Sequence, residues 1–127
     1  FSGKYSKKDL ENYFTKTAGL LAYLGTDDGR VVSERIEAGD QEAKRIFDAM
    51  IYQIGKDVGA CAAVLSGKID GIFLTGGLAY GKYLIEELNK RISFIAPVHV
   101  YPGEGEMEAL TMAAVRVLKG EEAARDY

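Results

Sequence analysis

An apolar segment that ends in two adjacent glycines constrains the fold more than any other feature of this sequence. Residues 69–82 read IDGIFLTGGLAYGK, and the Ile-Phe-Leu triplet at 72–74 is typical of a short buried strand. Gly76 and Gly77 lack Cβ atoms, so the backbone there can adopt positive φ and approach a ligand closely. A following helix would point its partly positive N-terminus at the same place. This order of elements predicts a site for an anionic or nucleotide ligand.

The glycine pair alone does not separate a nucleotide site from an ordinary tight turn between a strand and a helix. On the pair alone the ordinary turn is the favoured interpretation. The segment lacks the Gly-x-x-x-x-Gly-Lys-Ser/Thr pattern of a P-loop, and no Ser or Thr follows Lys82 to hold a magnesium ion. Gly76, Gly77 and Gly81 do not fit the dinucleotide pattern Gly-x-Gly-x-x-Gly either.

Composition narrows the class of protein. The 127 residues, 47% of them hydrophobic, correspond to one domain or to a piece of a larger protein. The chain opens at Phe1 without an initiator methionine, which an excised or processed chain would explain, and so would missing tag residues. A net charge of −3 gives no general attraction to nucleic acid or to anionic membranes. The single cysteine, Cys61, excludes a disulfide framework, and no apolar run reaches membrane-spanning length. We therefore expect a cytoplasmic protein without nucleic-acid or membrane partners.

The first part of the chain alternates between helical and strand-like patterns. A helix is expected to begin after Ser6 and to end near Gly19. Residues 20–24 form a short apolar run that we interpret as a strand, and a short helix containing Val32 and Ile36 is expected after it.

The longest predicted helix begins after Asp40 and runs to Leu65. Its broad apolar stripe predicts a well-buried helix, in which Gly55 and Gly59 allow close helix packing. Cys61 is interpreted as a small buried side chain, because the local sequence supplies no basic neighbour to activate a thiol.

The C-terminal half predicts two strands joined by a helix. The predicted elements are a strand over 69–74, a helix over 82–91, a strand over 96–101, a turn over 102–106 and a helix over 107–118. This order favours parallel strands with a right-handed crossover, and ligands then lie outside the carboxyl ends of the strands. The turns after Leu24, Leu74 and Tyr101 are therefore expected to face one pocket.

Several segments together resemble the C-terminal part of the butyrate kinases, which form one family with the acetate kinases. They are YLGTDDGR at 23–30, LTGGLAY at 74–80, FIAPV at 94–98 and YPGEGEMEAL at 101–110. The segments keep the same order and cover nearly the whole chain, so their combination is specific. The resemblance implies an α/β fold of the acetate and sugar kinase, Hsp70 and actin superfamily. In that fold a ribonuclease-H-like (actin-like ATPase) domain has a mainly parallel sheet flanked by helices.

The resemblance further implies an activity and a place for the chain in a larger enzyme. The activity is phosphoryl transfer between ATP and butyrate, or a related short-chain acid, giving an acyl phosphate and ADP with the help of Mg²⁺. Residues 1–127 would be part of the second ribonuclease-H-like domain, on the adenosine side of the cleft, with the N-terminal domain outside this chain. The catalytic arginines and the acyl pocket would lie in the preceding part. No catalytic residue is therefore assigned, and the chain alone is expected to be inactive.

Candidate nucleotide-binding residues follow from the same resemblance. The family's adenosine motif is matched by Gly76, Gly77, Leu78 and Ala79, and a segment that lines the adenosine pocket is matched by Asp28, Gly29 and Arg30. Asp28 is expected to accept hydrogen bonds from ribose hydroxyls, and Arg30 to lie over the adenine face. Without the resemblance, a capped helix start with a solvated arginine explains the last two residues.

A metal contact is implied at the acidic turn. Glu106 matches a glutamate near the family's magnesium, although Glu104 and Glu108 are close enough to compete for that role. A negatively charged helix start is the alternative explanation for all three. His99, the single histidine, is interpreted as a structural side chain rather than an acid or base.

Two other functional classes stay open. The same fold serves actin-like filaments and Hsp70-like chaperones, in which nucleotide drives assembly or conformational change and no metabolite is phosphorylated. A nucleotide-free α/β interaction module is the third alternative. The segment at 101–109 favours the acid kinase. The broad apolar stripes leave room for a homo-oligomeric contact.

Overall fold

The computed structural model describes residues 3–103 and 105–124, without the side chain of Glu106. Its α/β elements, in chain order, are α1 (Lys7–Lys16), α2 (Leu20–Leu24), α3 (Gly29–Glu37), α4 (Gln41–Val64), β1 (Ile72–Gly76), a short 3-10 helix (Gly77–Tyr80), α5 (Lys82–Ile92), β2 (Val98–Pro102) and α6 (Glu106–Leu118). Across these described ranges, no helix is long and apolar enough to cross a membrane.

The two strands pair in parallel, as the strand–helix–strand order predicts. Ile72 lies opposite Val98, and the register continues to Gly76 opposite Pro102. Both strands begin later than expected, at Ile72 instead of 69 and at Val98 instead of 96. Pro97 explains the second difference, because a proline has no N–H to donate to the ladder. Its carbonyl still accepts a 2.8 Å hydrogen bond from the backbone N–H of Ile72.

Helices α4 and α5 build the core against one face of this sheet. Buried residues recur every four positions on each helix, which puts them on one side of a 3.6-residue turn. They are Ala43, Phe47 and Ile51 on α4 and Leu84, Leu88 and Ile92 on α5, together with Val32 of α3. Ile72, Leu74 and Val98 of the strands pack against this cluster. The first half of α4 thus lies on one face of the sheet.

Residues 20–24 form a single helical turn, so their prediction as a strand is wrong. Gly19 and Gly25 bracket the turn with φ values of 65° and 73°. The Gly25 N–H donates to the Leu21 carbonyl at 3.0 Å, which closes the helical turn. Leu20 and Leu24 both pack against the core, a four-residue spacing that a helix and a strand share. Five consecutive apolar residues show no period that would have separated the two structures.

The long helix α4 is buried only in its first half, so the expectation of a well-buried helix is wrong beyond Ile51. Its 24 residues are about twice the length of α5, and the far end extends past the elements that cover its start. Val64 is 84% exposed. Cys61 is also exposed, which corrects its interpretation as a buried side chain.

The predicted starts of α1 and α4 are confirmed by their caps. Ser6 and Asp9 form a reciprocal capping box at the start of α1, which ends at Lys16, earlier than the expected Gly19. The Asp40 carboxylate accepts from two backbone N–H groups at the start of α4. Such caps satisfy N–H groups that have no partner within the helix.

Candidate functional site

An open cleft of about 830 Å³ lies between the start of α3 and the segment that follows β1. That volume is within the range of about 300–1,000 Å³ that is usual for small-molecule sites. The cleft is lined by residues 27–30, Ser33 and Glu37 on one side, and by Phe47, 77–78 and 80–83 on the other. The turn after Leu24 and the turn after Leu74 therefore face one pocket, as expected.

The glycine turn presents Gly77 to the cleft and commits Gly76 to the sheet. Gly76 has φ +81°, the conformation that its lack of a side chain permits. Its N–H donates to the Gly103 carbonyl and its own carbonyl accepts from the Gly103 N–H, both at 3.1 Å. Gly77 has no heavy atom within 4 Å of where a Cβ would stand. Gly77 thus leaves open space in the cleft, whereas the polar groups of Gly76 are already bonded.

The 3-10 helix approaches the start of α3 closely at the cleft. Leu78 lines the cleft, and its Cδ2 would lie only 2.7 Å from a Cβ built on Gly29. The absence of a side chain at Gly29 therefore lets the start of α3 approach the glycine turn. Ala79 is buried and is not part of the cleft wall. Of the seven residues matched to nucleotide binding, all but Gly76 and Ala79 line this cleft.

Asp28 caps α3 and holds Arg30 in a two-pronged ion pair. Its Oδ1 accepts from the Arg30 backbone N–H at 2.9 Å and from Arg30 Nε at 3.1 Å, and its Oδ2 accepts from Nη2 at 2.7 Å. The Arg30 hydrogen bonds lower the pKa of Asp28 to about 2. The arginine side chain is nevertheless 87% exposed. The structure thus contains the capped helix start, with an exposed arginine that lines the cleft.

Among the described residues, the acidic turn does not line the cleft, so the expectation that the turn after Tyr101 faces the same pocket is not confirmed. The turn only approaches one residue of the cleft wall. A Cβ on Gly103 would stand 2.6 Å from the hydroxyl of Tyr80, a cleft residue. Glu104 and the side chain of Glu106 lie outside the described residues, so the metal expectation for Glu106 stays a prediction. Glu108 is exposed on α6. Within 3–103 and 105–124, no three His, Cys, Asp or Glu residues are grouped to hold a metal ion.

Sequence reasoning missed the aromatic wall of the cleft, formed by Phe47 and Tyr83. Their rings stack with centroids 6.3 Å apart and planes at 22°. The Tyr83 hydroxyl donates to Asp48 Oδ1 at 2.5 Å, and Lys44 Nζ donates to Asp48 Oδ2 at 2.7 Å. Phe47 carried a signal as a periodic core residue of α4. Tyr83 carried none, because its partner is 35 positions away in the sequence.

Comparison with known proteins identifies relatives of this chain. The model of the acetokinase family matches residues 2–102. A probable butyrate kinase of Bacteroides thetaiotaomicron is 52% identical over 121 residues, which are 95% of this chain and 34% of that protein. A probable butyrate kinase 2 of Caldanaerobacter subterraneus subsp. tengcongensis is 51% identical over 127 residues, 100% of this chain and 36% of that protein. The chain spans about a third of the length of these curated relatives.

Proposed function

The chain belongs to the acetokinase family, and from this premise we propose that it is part of a butyrate kinase. The reaction transfers the γ-phosphoryl group of ATP to a carboxylate oxygen of butyrate or a related short-chain acid. The bond between that phosphorus and the β-phosphate oxygen breaks, which gives an acyl phosphate and ADP. The names of the two relatives, a probable butyrate kinase and a probable butyrate kinase 2, support the choice of acid.

The meeting of two distant segments in one cleft is the observation that carries the proposal. Residues 28–30 and 77–78 line the same cleft, and Gly29 and Leu78 approach each other closely across it. The family resemblance matches each segment to the adenosine pocket, and about 46 positions of sequence separate the two segments. Their convergence supports a shared ligand, and the cleft is large enough to hold an adenosine group.

Each cleft residue has a proposed role toward the adenosine. Asp28 is proposed to accept a hydrogen bond from a ribose hydroxyl, in addition to the bonds that it accepts from Arg30. Arg30 presents its planar guanidinium to the adenine face, and its pairing with Asp28 keeps that plane oriented. Gly77 lets the ligand approach the backbone. Gly76 and Ala79 shape the turn, through the hydrogen bonds to Gly103 and through burial in the core.

The remaining machinery of phosphoryl transfer belongs, in this proposal, to other parts of the longer protein. Transfer needs cations around the moving phosphate, a metal anchor and an acyl pocket. The described residues do not form a Mg²⁺ site by themselves, so no step is assigned to the metal here, and Glu106 is proposed only as one of its neighbours. The chain would be part of the second ribonuclease-H-like domain, on the adenosine side of the cleft between the two domains, and it would be inactive alone. A cytoplasmic location and a homo-oligomer stay predictions.

A coupled assay of the full-length protein, meaning the longer protein to which we assign the chain, tests the proposal. ATP and a panel of straight and branched short acids are supplied, and acyl phosphate is trapped with hydroxylamine. We expect product with butyrate or a near relative, and none from the 127-residue chain alone. ATP hydrolysis that no acid stimulates would favour the filament or chaperone class and contradict the kinase.

A further inference from the structure

Tyr83, Asp48 and Lys44 form a polar network, here called the Tyr83 network, that joins α4 to α5 beside the cleft. The Tyr83 hydroxyl and Lys44 Nζ donate to different oxygens of the Asp48 carboxylate, at 2.5 and 2.7 Å. Lys44 Nζ also lies 5.5 Å from the centroid of the Tyr83 ring. Both carboxylate oxygens of Asp48 are therefore hydrogen-bonded within the Tyr83 network, and the Tyr83 hydroxyl is held toward Asp48.

The ring of Tyr83 is the part of this residue that remains for the cleft. Tyr83 lines the cleft and is half-buried, and its single polar side-chain atom is bonded to Asp48. The nearly parallel ring of Phe47, which also lines the cleft, supports it from the side of the core. Phe47 is almost fully buried, so the surface offered to the cleft is the ring of Tyr83, backed by Phe47. Such an aromatic surface suits the flat face or edge of a nucleobase.

The ionisation of the network keeps the tyrosine in place near neutral pH. Burial raises the pKa of Asp48, but hydrogen bonds from Lys44 and Tyr83 outweigh it and leave that pKa below its usual value. Burial and the hydrogen bond to Asp48 raise the pKa of the Tyr83 hydroxyl. The carboxylate is thus charged and the phenol protonated at neutral pH, which is the state in which the phenol donates.

We propose that Tyr83 is a further nucleotide-contacting residue, whose ring forms the wall beside the base, and that Asp48 is the positioning residue that holds this ring. The inference rests on the proposed function, because it takes the cleft to be the adenosine site. A network with a purely structural role would join α4 to α5 and would stabilise the fold without affecting nucleotide affinity. The two roles differ in what a set of substitutions does to binding.

Substitutions at both ends of the hydrogen bond separate these roles. In the full-length protein, Tyr83→Leu removes the ring and is expected to raise the Kd for ADP about tenfold, within the range seen for the loss of aromatic contacts to bases. Tyr83→Phe keeps the ring but removes the hydroxyl that donates to Asp48. Asp48→Leu removes the acceptor of the same hydrogen bond. Each is expected to weaken ADP binding about threefold. Because they remove one shared bond, the double variant should be no weaker than either single variant.

Conservative and distant controls complete the design. Asp48→Asn keeps an oxygen that accepts from the Tyr83 hydroxyl, so it should restore nearly the full affinity that Asp48→Leu loses. Tyr52→Leu changes a tyrosine of α4, the helix that carries Asp48. Tyr52 contacts Lys56 and Arg91 and does not line the cleft. It should leave ADP affinity unchanged. The KM for the acid should stay constant in every variant.

ADP titration calorimetry of the unsubstituted protein is read first, followed by the variants and their thermal unfolding. Failure of the unsubstituted protein to bind ADP would overturn the proposed function, and the inference with it. If that protein binds ADP and folded Tyr83 and Asp48 variants bind equally well, the network only joins the helices and the inference is wrong. Should Tyr83→Leu fail to fold, the comparison of Asp48→Leu, Asp48→Asn and Tyr83→Phe decides the question.

Discussion

Two phenylalanines on opposite sides of the sheet show how differently its two faces are used. Phe47 is 1% exposed, in the core between α4, α5 and the strands, whereas Phe73 of β1 is 63% exposed on the other face. Phe73 stacks on His99 and Tyr101, two neighbours on the same surface, at centroid distances of 5.2 and 6.1 Å. The covered side also builds the cleft. The fold is thus closed where the candidate site lies and open on the outer face.

This difference matters because parallel sheets are usually covered on both faces. A two-stranded sheet gains little stability by itself, so the chain depends on the packing of α4 and α5 on the covered side. The predictions that follow test whether stability is concentrated there.

The largest effect is expected from Phe47→Ala. Removing a fully buried aromatic side chain from a core typically costs about 3–5 kcal/mol of unfolding free energy, from lost burial and the cavity left behind. Denaturant titration of the 127-residue chain, followed by circular dichroism, measures the loss. A loss below about 1 kcal/mol, which is usual for surface positions, would mean that the α4–α5 core does not hold the fold together.

A smaller effect is expected where the glycine turn meets the loop after β2. Gly103→Ala places a side chain at φ +100° and 2.6 Å from the Tyr80 hydroxyl. Backbone strain of this kind costs about 1–3 kcal/mol, and adding Tyr80→Phe should recover only the part that comes from the collision. Gly105→Ala is the matched control, because Gly105 has φ −64° and open space around it. Equal losses of unfolding free energy in Gly103→Ala and Gly105→Ala would contradict the claim that the backbone conformation at Gly103 requires glycine.

Acid should weaken the covered side through its helix caps. Hydrogen bonds from Arg30 lower the pKa of Asp28 to about 2, and hydrogen bonds from Ala43 and Arg35 lower the pKa of Asp40. An unfolded aspartate titrates near 3.9. The stabilisation is therefore complete above about pH 4 and disappears as the pH falls toward 2, because the unfolded chain then binds protons more readily. The denaturation midpoint should fall as the pH is lowered from 5 to 2. The midpoint of the Asp40→Asn variant should fall less steeply over the same range.

The smallest effect is expected from Phe73→Ala, the counterpart of Phe47→Ala on the outer face. Its ring is mostly exposed and contacts two exposed aromatic residues, so the 127-residue chain should lose only about 0.5 kcal/mol or less. The same denaturant titration provides the measurement. A loss that approaches the value for Phe47→Ala would remove the distinction between the two faces.

The sequence predicted best those parts of the fold that are encoded locally. Asp40, a capping residue, predicted the start of α4. The four-residue spacing of Leu84 and Leu88 predicted the buried side of α5. Parallel strands followed from the order of elements, since a strand–helix–strand unit closes in only one common way. Within the candidate site, residues 28–30 and 77–78 were found because each segment carries a recognisable motif.

The parts that the sequence did not predict depend on distance along the chain or on what surrounds an element. Residues 20–24 are too few to reveal a period, and the four-residue spacing of their core contacts fits a strand as well as a helix. The exposure of Cys61 follows from the unequal lengths of α4 and α5, which no local pattern contains. Tyr83 and Asp48 are brought together by that same helix pair, so their hydrogen bond beside the cleft becomes visible only in three dimensions.

The central claim is that the cleft beside Gly77 binds the adenosine group, and Gly77→Val tests it most directly. This substitution is not expected to disturb the fold, because a Cβ at Gly77 meets no atom within 4 Å. Gly77 lines the cleft, so the added methyl groups are expected to occupy cleft space. Gly59→Val is the matched control, since Gly59 is equally unobstructed and lies on α4 away from the cleft. In the full-length protein, Gly77→Val should fold normally and raise the Kd for ADP by at least tenfold, while Gly59→Val leaves it unchanged. A folded Gly77→Val protein that binds ADP as tightly as the parent would contradict the account.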